Sequence, residues 1–400
     1  MSAATEAPVG SWRHGGPALG SWRRGELGSR PVIGGLLVLW LVFQAINPTF
    51  LSPDNLVNLS MQLVALGVTT LGVVLVLVAG EIDLSVGAVN GLASAVLAVT
   101  FVQQGWPLWV AVLVAVLVGC AIGLVHGALS ARLGLPSFVV TLAGLLVALG
   151  LQIQVLGSTG TVNLAYESWL VRFAQQTFLD PLVAYLVVVV VVAVHVGGRL
   201  VERRRRLAAE LPAAALSTVL LRSLGLGVLL AAPVWYLSLD RGVAATFVLL
   251  LVLVTVAHLL LRRTRWGRGV HAVGSSAYSA RRAGLPVGIL RLSCFVAGSG
   301  LAALGGVLAT ARLAAANQGS GGSELMLTAI AAAVIGGTSL FGGRGTAWSA
   351  VLGALVIQSI SSGLILLDVG TSARYVVTGV VLVLAIAVDA VGRRSATPVR

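Results

Sequence analysis

The sequence contains no lysine, and its 26 Lys+Arg positions are all arginine. This excludes a P-loop of its own, because GxxxxGK[ST] needs lysine to reach the terminal phosphates, and it excludes lysine Schiff-base chemistry. Charge is scarce as well. Only 10% of the 400 residues are charged and 58% are hydrophobic, with a mean hydropathy of +1.00, which leaves too little polar surface to solvate soluble domains. The only two cysteines, Cys120 and Cys294, lie inside apolar runs and imply packing rather than a disulfide framework. There is no GxSxG and no paired-aspartate motif. His126, His195 and His258 have no second ligand three or four residues away, so the sequence offers no catalytic residue, metal site or cofactor site.

What the sequence has in abundance is long unbroken apolar runs, whose backbone is satisfied in a bilayer by helices rather than by the alternating segments of a barrel. The expected fold is all-α and polytopic. A polar tail over 1–31 leads to about twelve transmembrane helices, at 32–46, 57–79, 84–102, 107–130, 137–156, 182–198, 218–238, 242–261, 293–314, 324–341, 346–366 and 372–391, with a short tail at 392–400. The six consecutive valines Val187–Val192 would argue for a strand in a soluble protein, but apolar length and the arginine-rich flank override propensity. If the chain crosses at every span from a cytoplasmic N-terminus, 22 of the 26 arginines fall inside, and only Arg172, Arg241, Arg312 and Arg374 fall outside. This split supports two cytoplasmic termini, and it explains the +13 net charge by topology rather than by nucleic-acid binding.

Three segments interrupt the apolar pattern. Gly80-Glu-Ile-Asp-Leu-Ser-Val-Gly87 places two carboxylates in a hydrophobic stretch, at about 2.5 to 3.5 kcal/mol for each if central, so Glu81 and Asp83 are functional candidates. The glycines allow the helix to break at depth. The plainer alternative is a cytoplasmic turn with Asp83 capping the next helix. A second break, Gly336-Gly-Thr-Ser-Leu-Phe-Gly-Gly-Arg-Gly345, has the same glycine–polar–leucine–glycine order and faces the same side, as a parallel internal repeat would. The third is the polar connector 262–291, in which 276–283 is a short capped helix of small and basic residues closed by Gly284. Outside, 157–180 carries Tyr166, Trp169 and Phe173, as expected of a short interfacial helix.

These segments together resemble the permease subunits of bacterial ABC importers for monosaccharides, the ribose/xylose-type branch. Ala79-Gly-Glu-Ile-Asp-Leu-Ser-Val-Gly87 is similar to that family's GGIDLSVG segment, Leu135-Pro-Ser-Phe-Val-Val-Thr-Leu142 to PxFIVTL, and the 332–345 stretch to AAVIGGTSLxGGRG. The stretch from Trp266 to Gly284 is similar to the cytoplasmic coupling segment, with Ser276 and Tyr278 where the family usually has asparagine and glutamate, and Glu81 stands where relatives often have glycine. The extra hydrophobic material around the arginines at 199–206 resembles the longer xylose-type members.

The resemblance implies a multi-pass permease of the bacterial cytoplasmic membrane, transporting a pentose such as xylose. Its partners would be a cytoplasmic ABC ATPase, an extracytoplasmic sugar-binding protein and a second permease copy. Pathway or gate residues would include Glu81, Asp83, Ser85, Asn90, Thr141, Thr338 and Ser339, and ATPase coupling would use Gly274, Tyr278, Ala280, Arg281 and Gly284. The alternative is a proton- or ion-coupled secondary transporter using Glu81 or Asp83 as carrier.

Overall fold

The computed structural model describes residues 30–370 and, beyond them, 372, 373, 375–377, 379, 380 and 383. The expected N-terminal tail, except its last two residues, most of the expected span 372–391 and the tail 392–400 lie outside the described residues.

Helix α1 (Arg30–Ile46) is followed by α2 (Pro53–Val78), whose start is set by Ser52: its Oγ accepts the Asn55 N–H at 3.3 Å, and Pro53 takes the first helical position. After an unwound segment come α3 (Val86–Ala98), which ends in a π-helical turn at Val99–Gln103, α4 (Leu108–Leu133) and α5 (Ser137–Leu156). The short strand β1 (Thr161–Asn163) and helix α6 (Trp169–Gln175) precede the hairpin of α7 (Pro181–Ala208) and α8 (Leu216–Leu237). Then follow α9 (Ala245–Arg263), α10 (Arg265–Ser275), α11 (Ala277–Arg282), α12 (Val287–Leu313), strand β2 (Ala315–Asn317), α13 (Gly322–Ile335) and α14 (Trp348–Leu366).

Among the described residues, nine helices are long and apolar enough to cross a membrane, and two shorter apolar ones, Pro31–Ile46 and Gly322–Ile335, fall at two more of the expected spans. The protein is a helical, polytopic membrane protein; among the described residues the only sheet is the antiparallel ribbon β1–β2, with Thr161 opposite Asn317 and Asn163 opposite Ala315. The valine run is helical, as expected.

At the centre is α12, packed on α2, α3 and α4. Lipid is as apolar as leucine, so burial inside the membrane is driven by close packing and interhelical hydrogen bonds rather than by hydrophobicity. Small residues supply that closeness. A Cβ on Gly72 would lie 2.4 Å from the Gly298 carbonyl oxygen, and one on Gly306 would lie 2.1 Å from the Asn90 oxygen.

Some boundaries differ from the sequence expectation. Helix α12 begins at Val287, so Arg291 is helical; α7 runs on to Ala208; and α10 is a separate amphipathic helix that hydropathy does not reveal, because its buried residues Gly267, Gly269, Val270 and Val273 are few and small. Helix α6 forms where a short helix is expected, with Leu170, Val171 and Ala174 buried against the protein and Trp169 exposed.

Candidate gate and coupling junction

The site begins where α2 ends. Gly80 is left-handed (φ +79°), its N–H donates to the Leu77 oxygen at 2.9 Å, and the Glu81 N–H donates to the Val76 oxygen at 3.2 Å, the paired closure that stops a helix at a glycine. Helix α13 stops in the same way. Gly337 is left-handed, its N–H donates to the Val334 oxygen at 2.9 Å, and the Thr338 N–H donates to the Ala333 oxygen at 3.0 Å. The two motifs singled out for their similar order therefore share a local closure, and they meet at one end of the molecule.

Between α2 and α3 the chain is unwound, and its two carboxylates go to different places. Glu81 Oε1 sits 2.7 Å from Nε of Arg291, four residues into α12. Asp83 is 4% exposed: its Oδ1 accepts the Ser85 N–H at 2.8 Å and the Ser85 hydroxyl at 2.6 Å, and Oδ2 faces the Ser299 hydroxyl at 3.5 Å. Ser299 lies twelve residues into α12, about 18 Å along its axis, so Asp83 is well inside the protein and not in a surface turn. The carboxylate does steady the entry to α3, but through Ser85, the residue that precedes the helix.

Ser85 Oγ commits its one hydrogen to Asp83, so towards His126 Nδ1, 3.4 Å away, it can only accept, which assigns the Nδ1-protonated tautomer to the buried ring. The other ring nitrogen points at Gly144, where a Cβ would come within 2.0 Å of it. His126 and Ser299 are site residues that the sequence did not indicate, since neither has a spacing signal and both arrive on distant helices.

The unwound backbone is held by the start of α5. Thr141 Oγ1 accepts the Leu84 N–H at 3.1 Å, and Ser137 Oγ faces the Ile82 N–H at 3.5 Å. The 135–142 motif thus supplies partners for the 79–87 motif, which is the condition for irregular backbone at depth. Asn90 lies elsewhere. It is buried between α2 and α12, donating to Thr69 Oγ1 and the Ala302 oxygen, both at 3.2 Å. Thr338 is buried under Gly345, and Ser339 shapes its own turn, its N–H donating to the Arg344 oxygen at 3.0 Å and its Oγ accepting from Phe341 N–H at 3.2 Å.

The polar connector closes over these turns. Thr264 caps α10, Trp266 Nε1 donates to Ser293 Oγ at 2.7 Å, and His271 Nε2 lies 3.4 Å from the Gly345 oxygen. Three backbones then meet without side chains between them. Gly343 N–H donates to the Val78 oxygen at 3.0 Å, a Cβ on Gly274 would lie 1.9 Å from that same oxygen, and one on Gly342 would lie 2.6 Å from Gly80 Cα. Helix α11 follows, capped by Ser276 as expected and closed by left-handed Gly284. Ala280 is its buried contact, whereas Tyr278 is 72% exposed and carries the Arg282 guanidinium 5.9 Å above its ring. Arg281 instead lines a cleft of about 270 Å³ with Glu81, Ser137 and Arg291. All four sequence motifs are therefore in one assembly at one end of the protein; Asn90, which lies outside them, is not part of it.

Residues 55–386 match the family described as branched-chain amino acid transport system / permease component. The chain is 33% identical over 364 residues to the xylose transport system permease protein XylH of Escherichia coli (strain K12), covering 91% of this chain and 92% of that protein. It is 34% identical over 345 residues to XylH of Haemophilus influenzae, covering 86% and 91%, and 30% identical over 355 residues to the ribose import permease protein RbsC of Bacillus subtilis, covering 89% and 90%. No solved structure matches.

Proposed function

This chain belongs to the family of branched-chain amino acid transport system permease components, and from that membership we propose that it forms the translocation pathway of an ABC importer for a monosaccharide, a pentose such as xylose. It is a transport subunit and not an enzyme, and it resides in the cytoplasmic membrane as a multi-pass protein. The arginine-rich end that carries α10, α11 and the two glycine turns is the cytoplasmic one. Twelve spans and two cytoplasmic termini complete this topology.

The observation that carries the mechanism is the backbone junction at Val78, Gly274 and Gly343. An ATPase that engages α11 pushes on α10. Because α10 touches the end of α2 and the glycine turn between α13 and α14 through backbone, with no side chain to absorb the motion, displacement reaches the unwound Glu81–Ser85 segment directly. Tyr278 on α11 and Phe341 on the second turn, 72% and 76% exposed, are among the large side chains that this end offers to such a partner. A second copy of the chain completes the pore, and an extracytoplasmic binding protein delivers sugar to the opposite end, where β1, β2 and α6 lie. Asp83 fixes the gate geometry, and Glu81, paired with Arg291, ties the gate to the start of α12.

The test is reconstitution in proteoliposomes with an ABC ATPase and an extracytoplasmic sugar-binding protein as partners. Uptake of radiolabelled pentose should require both partners and ATP. Accumulation by the chain alone that collapses with a protonophore would replace this reading with ion-coupled transport. Within the complete system, Asp83→Ala should reduce uptake while assembly with the ATPase is retained; removing the carboxylate strands the Ser85 N–H at a cost of about 1 to 3 kcal/mol. Undiminished uptake would take Asp83 out of the gate.

A further inference from the structure

The hairpin α7–α8 takes no part in the junction, yet it carries the densest charge in the described chain. Its cytoplasmic end encloses a cavity of about 210 Å³ lined by His195, Arg199, Arg203, Arg206, Thr218 and Arg222, with Glu202 as its one acidic group. Glu202 is already shared: Oε2 pairs with Arg199 at 3.4 Å and Oε1 with Arg206 at 3.2 Å. Arg203 donates through Nε to the Ala214 oxygen at 3.1 Å, which spends one donor and neutralises nothing. Arg222 has no hydrogen-bond or ion-pair partner among the described residues. Four guanidiniums thus face a space with one carboxylate.

The positive-inside tendency explains why arginines occupy this side, but not why residues from two helices surround one cavity. Depth adds to the argument. Helix α7 has 28 residues and is about 42 Å long, against a hydrocarbon core of about 30 Å, so its arginine-bearing turns stand in the headgroup layer. Beyond the cavity, towards the bilayer centre, the surface is apolar and uncovered: Val190, Val191 and Val194 of α7 and Leu224, Val228 and Leu229 of α8 are all exposed. A ligand that matches both parts has a phosphate at one end and acyl chains at the other.

We propose that the α7–α8 hairpin binds an anionic phospholipid, its phosphate in the arginine cavity and its acyl chains along the valine and leucine faces of the two helices. Guanidinium forks suit phosphate because they donate two parallel N–H bonds, and basic pockets between helices on the cytoplasmic side take anionic headgroups. A free phosphate would use the cavity and leave the apolar faces unused.

The full chain, purified in a neutral detergent, is titrated with dioleoylphosphatidylglycerol or dioleoylphosphatidylcholine and observed by native mass spectrometry. The glycerol lipid should bind at least tenfold more tightly than the choline lipid. Each basic contact at an anionic surface is worth about fivefold, so R203Q/R222Q should weaken phosphatidylglycerol about 25-fold. The control R204Q/R205Q removes the same charge from exposed, solvent-screened positions of α7 outside the cavity and should change binding less than about threefold. Equal retention of the two lipids by the unaltered chain overturns the proposal without recourse to any variant. Equal weakening by the two double substitutions overturns it as well, because it would mean general charge and no site. Full displacement of the lipid by millimolar inorganic phosphate would make the ligand a free anion, and the lipid assignment would fall.

Discussion

Helices α2 and α7 are nearly the same length and equally apolar, yet 89% of the apolar window of α2 is buried inside the protein and only 6% of that of α7. Hydropathy alone cannot distinguish them, because lipid tails and a membrane-protein interior are equivalent solvents for valine and leucine. The distinction lies in shape and in sparse polar groups. Helix α2 carries Gly72 against the backbone of Gly298, and Thr69 against Asn90. The glycines of α7, Gly197 and Gly198, approach nothing within 4 Å, and its run of valines presents a uniform branched surface with no polar handle. A helix is drawn into the centre when a partner can come close to it and hydrogen-bond with it, and otherwise lipid suffices.

The contrast is most exposed to refutation at Gly72. Gly72→Val would drive a side chain into the Gly298 carbonyl, and the resulting overpacking should destabilise the fold by about 3 kcal/mol or more, measured as thermal unfolding in detergent. A stable, active G72V chain would show that closeness is not what holds α2. Gly274→Ala tests the same rule at the backbone junction of Val78, Gly274 and Gly343. With the Val78 oxygen 1.9 Å from the new Cβ, a cost of about 1 to 3 kcal/mol is expected, and ATP-driven uptake should fall while membrane insertion persists.

A weaker effect is expected at Glu81. The carboxylate is almost buried and its partner Arg291 is partly exposed, so a double-mutant cycle of E81Q with R291Q should give a coupling of about 1 kcal/mol, read from thermal unfolding. Zero coupling would leave the pair as a structural coincidence. The smallest change belongs to α7. Val189→Leu, on its exposed face, should alter stability by less than about 0.5 kcal/mol, and a loss as large as that from G72V would erase the contrast between the helices.

Much of the site was legible in the sequence because it breaks local rules. Glu81 and Asp83 are conspicuous in an apolar stretch, and the glycine turns at 80 and 337 interrupt helical runs, so unpaired local cost marks all of them. The capped helix α11 was equally legible from Ser276 and Gly284. Thr141 emerged only through resemblance, and the reason for its presence, an N–H of Leu84 57 residues away in sequence, is tertiary. His126, Ser299 and Arg291 carried no local signal of their role. Each belongs to a helix whose sequence looks ordinary, and each matters because of what stands across from it.

Composition and hydropathy by themselves determined that this chain crosses a membrane many times as helices, since a backbone in hydrocarbon must satisfy its own hydrogen bonds. Arginine placement is lopsided along the chain, and the orientation proposed above rests on that asymmetry. Only the tertiary structure decided which helices are central, that Asp83 and Glu81 part towards Ser299 and Arg291, and that Val78, Gly274 and Gly343 share one backbone contact. The reason is the same throughout: in a bilayer an apolar helix is solvated by lipid alone, and choice of neighbour rests on close fit, glycine against carbonyl and hydroxyl against carboxylate, which a one-dimensional pattern does not encode.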